Sequence, residues 1–198
     1  MILQGTKIVL VNAFQQAMTD QFWKTINGST EQINPADIVL KEYPTDKIKF
    51  PFARVSVDFD VMQWDNISPN AYADNGQPAM ITGVCTIDMY ALSAEGRDAM
   101  ADGFLSLLAW RTLAPQNVFD QYCENAAKQN NDLPLVKLQK GNIKIGTFDD
   151  AEDLMWDTGK HIYTMDLSVP FIATQTFTPT YFVNTVKGVT VTGDLGTA

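Results

Sequence analysis

The sequence predicts an α+β fold: a mainly antiparallel β-sheet of long strands, packed on one side by two amphipathic helices, with an inserted β-hairpin. Three observations carry this prediction. Val55, Val57, Phe59 and Val61 alternate with polar residues, as do Ile81, Cys85, Ile87 and Met89, and again Tyr163, Met165, Leu167 and Val169. Strand side chains alternate between faces, so each stretch reads as a half-buried strand. Apolar residues also recur at helical spacing in two other stretches, and a Gly-Asn pair separates two short apolar runs.

In chain order, residues 7–26 predict the first helix. Phe14, Met18, Phe22 and Ile26 form its stripe, Thr6 its N-cap and Asn27-Gly28 its stop. The β-branched run Ile8-Val9-Leu10-Val11 weakens its first turn. A short strand near 37–43 ends at Pro44, and a long strand runs from about 50 to 64. The segment 65–78, rich in Asn, Asp, Pro and Gly, predicts an extended loop at the tip of a hairpin. The second long strand, 80–92, leads to a helix capped by Ser93, with Met100, Phe104, Leu107 and Leu108 on its buried stripe. A weaker helix is expected over 116–129. Leu135–Leu138 and Ile143–Ile145 around Gly141-Asn142 predict a hairpin. The third long strand spans 161–174, where Pro170 implies an edge or a bulge. The expected organisation is one domain over 1–177, with an insertion at 113–154, and a C-terminal extension over 178–198 that orders itself on another subunit.

Composition narrows the function classes. A net charge of −9 argues against a surface that grips nucleic acid, because phosphate binding needs clustered Lys and Arg. No run reaches the roughly 18 apolar residues of a membrane span, and no signal-peptide pattern opens the chain. Cys85 reads as a buried free thiol, and a reducing compartment is expected. His161 is the single histidine, so a multi-histidine metal site or a His-dependent nucleophile is excluded within one chain. No phosphate-binding glycine loop or nucleophile elbow occurs. The expectation is a protein without catalytic residues, cofactor or metal.

The aspartates in the polar register are the remaining candidates. Asp58, Asp60, Asp88 and Asp166 are predicted to share one sheet face, the acidic opposite of the hydrophobic wall. In a different functional class, the same four residues would serve a carboxylate-dependent hydrolase as an acid–base pair or cation site, with Trp64 and Tyr90 as sugar platforms. Lys137, Lys140 and Lys144 make the 135–148 segment the one basic element of an acidic chain, and with Asn70 and Tyr72 of the long loop they are the predicted partner contacts.

Three local patterns carry a resemblance. One is the passage from Tyr43-Pro44 to Phe50-Pro51-Phe52-Ala53-Arg54-Val55. Another is Thr86-Ile87-Asp88-Met89-Tyr90-Ala91, followed by Ser93-Ala94-Glu95-Gly96-Arg97 opening a helix. The third is the closing strand Tyr163-Thr164-Met165-Asp166-Leu167-Ser168-Val169. In these, and over roughly residues 7–112 and 155–175, the chain resembles the tail-terminator or neck proteins of long-tailed bacteriophages. The resemblance implies a virion protein assembled in the bacterial cytoplasm. It would form a homo-oligomeric, usually hexameric, ring between the tail-tube protein and the head connector, with a lumen that passes DNA. A tail-tube or head-completion role in the same virion is the neighbouring alternative. An acidic, hydroxylated face turned to that lumen would repel phosphates and let DNA slide.

Overall fold

The computed structural model describes residues 2–19, 23–24, 30–31, 33–42, 49–64, 77–108, 118–130, 132–147 and 161–177. The predicted loop residues Asn70 and Tyr72 and the 178–198 extension lie outside them. The architecture is α+β: a mixed, mostly antiparallel six-stranded sheet with three helices.

The first helix, α1 (Ile2–Met18), starts and ends earlier than its apolar stripe predicts. Val9, Leu10 and Val11 lie inside it and are buried, so packing overrides the modest cost of β-branching. Thr6 is not its cap. Its hydroxyl donates to the Ile2 carbonyl at 2.7 Å, one turn back. A two-residue ladder follows, β1 (Trp23–Lys24) antiparallel to β2 (Thr30–Glu31). A 3-10 turn at Pro35–Asp37, capped by the Asn34 side chain on the Ala36 amide, leads to β3 (Ile38–Leu40).

Strand β3 runs parallel to β4 (Phe52–Trp64), the one parallel pairing among the described strands. Helix α1 anchors it, since the Gln15 amide donates to the Ile38 carbonyl at 2.8 Å. Strand β4 pairs antiparallel with β5 (Gln77–Ala91), and β5 with β8 (Tyr163–Phe177) along its full length. Helix α2 (Ala94–Leu108) begins where the sequence predicts: the Ser93 hydroxyl accepts from the Gly96 amide at 3.0 Å. Helix α3 (Val118–Gln129) follows.

The helices cover one face of the sheet. Phe14 of α1 joins them, meeting Phe104 of α2 edge-on at 5.8 Å and Phe119 of α3 at 4.8 Å. All three rings are fully buried, each a burial that contributes about 1.5–3 kcal/mol. Beneath them Val55, Val57, Cys85, Ile87, Met89, Leu167, Val169, Phe171 and Ala173 supply the sheet side of the core.

Two features depart from the predicted sheet. The first is a bulge between Phe59 and Val61, where Phe59 opposes Gly83 but Val61 opposes the next residue, Thr82. Asp60 is the inserted residue, so strict alternation, and with it a shared face for Asp58 and Asp60, fails there. Val61, predicted to face the core, turns to the other face and is 51% exposed. Gly83 makes room at this point. A Cβ there would meet the Asp58 carbonyl oxygen and lie 2.9 Å from the Phe171 ring. Phe59 and Phe171 instead close over it edge-to-face at 6.0 Å.

The second departure is the inserted hairpin, which does not form. Strands β6 (Leu135–Leu138) and β7 (Lys144–Gly146) do not pair with each other. Both pair antiparallel with β8, as two segments along one edge. Between them lies a 3-10 turn at Lys140–Asn142 rather than a primed turn. Pro170 explains the break. A residue's N–H and C=O point to the same strand edge, and the Pro170 carbonyl accepts from the Gln139 amide at 2.7 Å. The N–H that proline lacks therefore faces the gap, where a continuous partner strand would leave a carbonyl unsatisfied.

Candidate functional site

The face of the sheet opposite the helices carries the predicted aspartates, and register orders it into rungs across the strands. Phe52, Tyr90 and Thr164 form the first rung. Arg54, Asp88, Asp166 and Gly146 form the next, followed by Ser56, Thr86, Ser168 and Lys144. Then come Asp58, Val84 and Pro170, and after the bulge Val61, Thr82, Ile172 and Lys137. The face is therefore polar in its middle, aromatic at one end and partly apolar at the other, not uniformly acidic.

The aromatic end escapes the alternating pattern because Phe52 and Tyr90 occupy polar-register positions. Their rings stack 4.5 Å apart, almost parallel, and both are buried. The Arg54 guanidinium lies 5.3 Å from the Tyr90 ring centre and 5.8 Å from that of Phe52, a cation–π arrangement. Its Nε is buried without a hydrogen-bond partner, and the ring faces supply the compensating contact.

Asp88 is the focus of the polar rungs. Arg54 and Asp166 oppose it directly on the two flanking strands. Lys41, just past β3, brings its Nζ to 3.1 Å from Asp88 Oδ2. The approach is a charge contact and not a directed hydrogen bond, because Oδ2 has no partner of proper hydrogen-bond geometry. The two side chains are unequal: Asp88 is 7% exposed, Lys41 50%. Burial pushes the Asp88 carboxyl above the usual carboxylate range, and Asp166 adds to the rise. The contact with Lys41 and the charge of Arg54 pull the other way. Below this rung the Thr86 and Ser168 hydroxyls share a hydrogen bond at 2.9 Å.

Chemically, a carboxyl with a raised pKa opposite a second carboxylate has the outline of an acid–base pair. The geometry withholds the rest. A general acid must come within hydrogen-bond reach of its substrate, and Asp88 is closed in by Lys41, Arg54 and its own strand neighbours. Asp166 leans over Gly146, where a Cβ would meet its Oδ1 at 2.5 Å. Asp58 and Asp60 are exposed and stand apart from this cluster. No three described His, Cys, Asp or Glu side chains converge as metal ligands. His161 is exposed, with its ring edge-on to Tyr163 at 4.5 Å. Cys85 and Cys123 are buried thiols, and burial pushes both well above the usual thiol pKa.

The lysines separate as well. Lys140 is committed internally: its Nζ lies 2.5 Å from Asp120 Oδ2 of α3 and its side chain is largely covered. Lys137 and Lys144 are exposed, and both share the face of Asp58, at the opposite edge of the sheet. In the sequence the acidic strands and the basic 135–148 segment are separate elements. The register makes them the two margins of one face.

Those margins are open among the described residues. Strand β3 reaches only Ala53–Val55, so from Val57 onward β4 has no strand beside its outer edge among the described residues. Among the described residues, strands β6 and β7 likewise have β8 as their one partner strand. Exposed apolar side chains mark both margins: Val61 at 51% and Met62 at 42% on β4, Ile145 at 59% on β7. Among the described residues no helix is long and apolar enough to cross a membrane. Compared with protein-family models and with curated proteins, the chain matches none.

Proposed function

We propose that this chain is a structural virion protein of the head–tail neck of a long-tailed bacteriophage. It forms a ring, hexameric in the resembling proteins, that terminates the tail tube and docks it to the connector around a lumen through which DNA passes. One observation supports the reading above the others. The sheet is covered by helices on one face, yet among the described residues its two margins are open and bear exposed apolar side chains. Unpaired strand edges of this kind are a liability in a monomer and an asset in an assembly. The polar rungs fit a scaffold role too, since Asp88, Lys41 and Arg54 tie strands together and Asp88 is out of a substrate's reach. The resemblance in the strand-to-helix passage at 86–97 and in the closing strand at 163–169 supports reading that assembly as part of a tail.

Mass measurement by light scattering, with negative-stain imaging of the purified protein alone and beside tail tubes, tests the proposal. A closed ring that caps tubes at one end is expected. Long stacks would indicate the tube role instead, and a strict monomer under every condition would overturn the reading.

A further inference from the structure

Among the described residues, the sheet has two open margins, and their exposed charges are opposite in sign. Near the β4 margin stand Asp58 and Asp60, both exposed; near the β6–β7 margin stand Lys137 and Lys144, also exposed. Among the described residues, other charges near these margins have partners: Lys41 contacts Asp88, Glu42 pairs with Lys7, and Lys140 pairs with Asp120. Asp166, which has no ion-pair partner among the described residues, stands one rung beyond Lys144, over Gly146. Joining β4 to β4 across a two-fold axis would set aspartates against aspartates. Joining β6–β7 to itself would set lysines against lysines. Only head-to-tail association brings opposite charges together, and such heterologous contacts produce rings or filaments.

The heights of the two patches decide between ring and filament. Rungs run across the strands, so residues of one rung lie at one level along them. Lys144 belongs to the Ser56 rung and Lys137 to the Val61 rung, while Asp58 occupies the rung between and Asp60 the bulge just after it. The acidic patch of one margin therefore sits level with the basic patch of the other. A neighbour docked at the same height adds no offset along the strands, which is compatible with a closed ring whose axis lies along them. Strand direction agrees. Strand β4 runs opposite to β6 and β7, so the junction continues the antiparallel pattern of the sheet.

We infer that the β4 margin of one copy docks antiparallel against the β6–β7 margin of the next, with Asp58 and Asp60 set between the neighbour's Lys137 and Lys144. This specifies the contact within the ring proposed above and rests on that reading.

Charge reversal tests the inference. Asp58→Lys/Asp60→Lys and Lys137→Glu/Lys144→Glu are made separately, and their fold is checked by circular dichroism and melting. Each alone should weaken ring formation by roughly tenfold or more. An equimolar mixture should restore rings, because the two variants alternate around an even-numbered ring with opposite charges at every junction. The quadruple variant should assemble alone. If the wild type forms rings and the folded variants do so equally, or if mixing fails to rescue them, the inference is overturned while the ring stands. If the wild type never assembles, the ring reading itself falls, and the inference with it.

Discussion

Removing either partner of the Lys41–Asp88 contact breaks the same ion pair, but the two substitutions should have unequal costs. Lys41→Met leaves a carboxylate that is 7% exposed, with an Oδ2 that has no properly directed hydrogen bond. Stranding such a group costs about 1–3 kcal/mol. Asp88→Asn leaves a lysine that is half in water and rehydrates at little expense. A pair with so exposed a member is worth about 0–1 kcal/mol, and removing a buried charge offsets part of that. The expected order is therefore Lys41→Met well below wild type and Asp88→Asn within about 1 kcal/mol of it, a gap of roughly 2–8 °C in melting temperature for a domain of this size. The pH dependence carries a second signature. Asp88 has a folded-state pKa above its unfolded value, so its proton favours the folded state below the unfolded pKa of about 4. That advantage is lost as pH rises through the folded pKa. Relative to wild type, the Asn variant should gain stability on going from acid to neutral pH, and Lys41→Met should steepen the loss. Urea melts of the two single variants and the double variant at several pH values decide it. Equal costs, or a larger cost for Asp88→Asn, would refute the account of Asp88 as a reluctantly buried charge.

Gly83→Val should destabilise strongly, by at least the roughly 1–3 kcal/mol of an overpacked core, because its Cβ has no space between the Asp58 carbonyl and the Phe171 ring; a chemical denaturation curve reads this directly. Phe14→Ala removes the ring on which α2 and α3 converge and should cost about 3–5 kcal/mol, measured the same way. Cys85 and Cys123 should resist maleimide in the native protein and both react in denaturant, since burial holds the Cys123 pKa up at about 12 and Cys85 higher still; mass spectrometry counts the adducts. Asp166→Lys should leave the rings intact but make them retain DNA at low salt in a gel-shift assay, if the face opposite the helices lines the lumen.

The strands were legible because period-two alternation is a local signal: Val55–Phe59, Ile81–Met89 and Tyr163–Val169 each state which face is buried. Ser93 was legible as a cap for the same reason. What escaped depends on partners distant in sequence. The bulge at Asp60 is invisible until Gly83 is seen opposite Phe59, and Val61 then changes face. The hairpin at Gly141-Asn142 was a sound local expectation that lost to β8, whose edge offers both flanking segments a longer ladder. Its interruption is written at Pro170, some thirty positions away. Phe52 and Tyr90 sit in polar register yet stack on each other, and only cross-strand pairing puts Arg54 over their rings. Lys140 looked free because Asp120 lies on another element.

In a ring joined margin to margin, the aspartates would divide between two roles. An acidic lumen wall and an acidic docking edge make competing claims on Asp58 and Asp60, because a carboxylate neutralised by a neighbour's lysine repels phosphate poorly. Asp88 is withdrawn in any case by Lys41 and Arg54. If copies join margin to margin, the surface left to face passing DNA is the middle of the sheet: Ser56, Thr86, Ser168 and the one free acid of those rungs, Asp166. Thr86 and Ser168 bond each other and offer phosphate little. Such a wall resists adhesion by being short of cations and already hydrogen-bonded, more than by strong negative charge. Slippage and assembly then depend on different residues, which is why reversing Asp166 should alter DNA retention while reversing Asp58 and Asp60 should alter the ring.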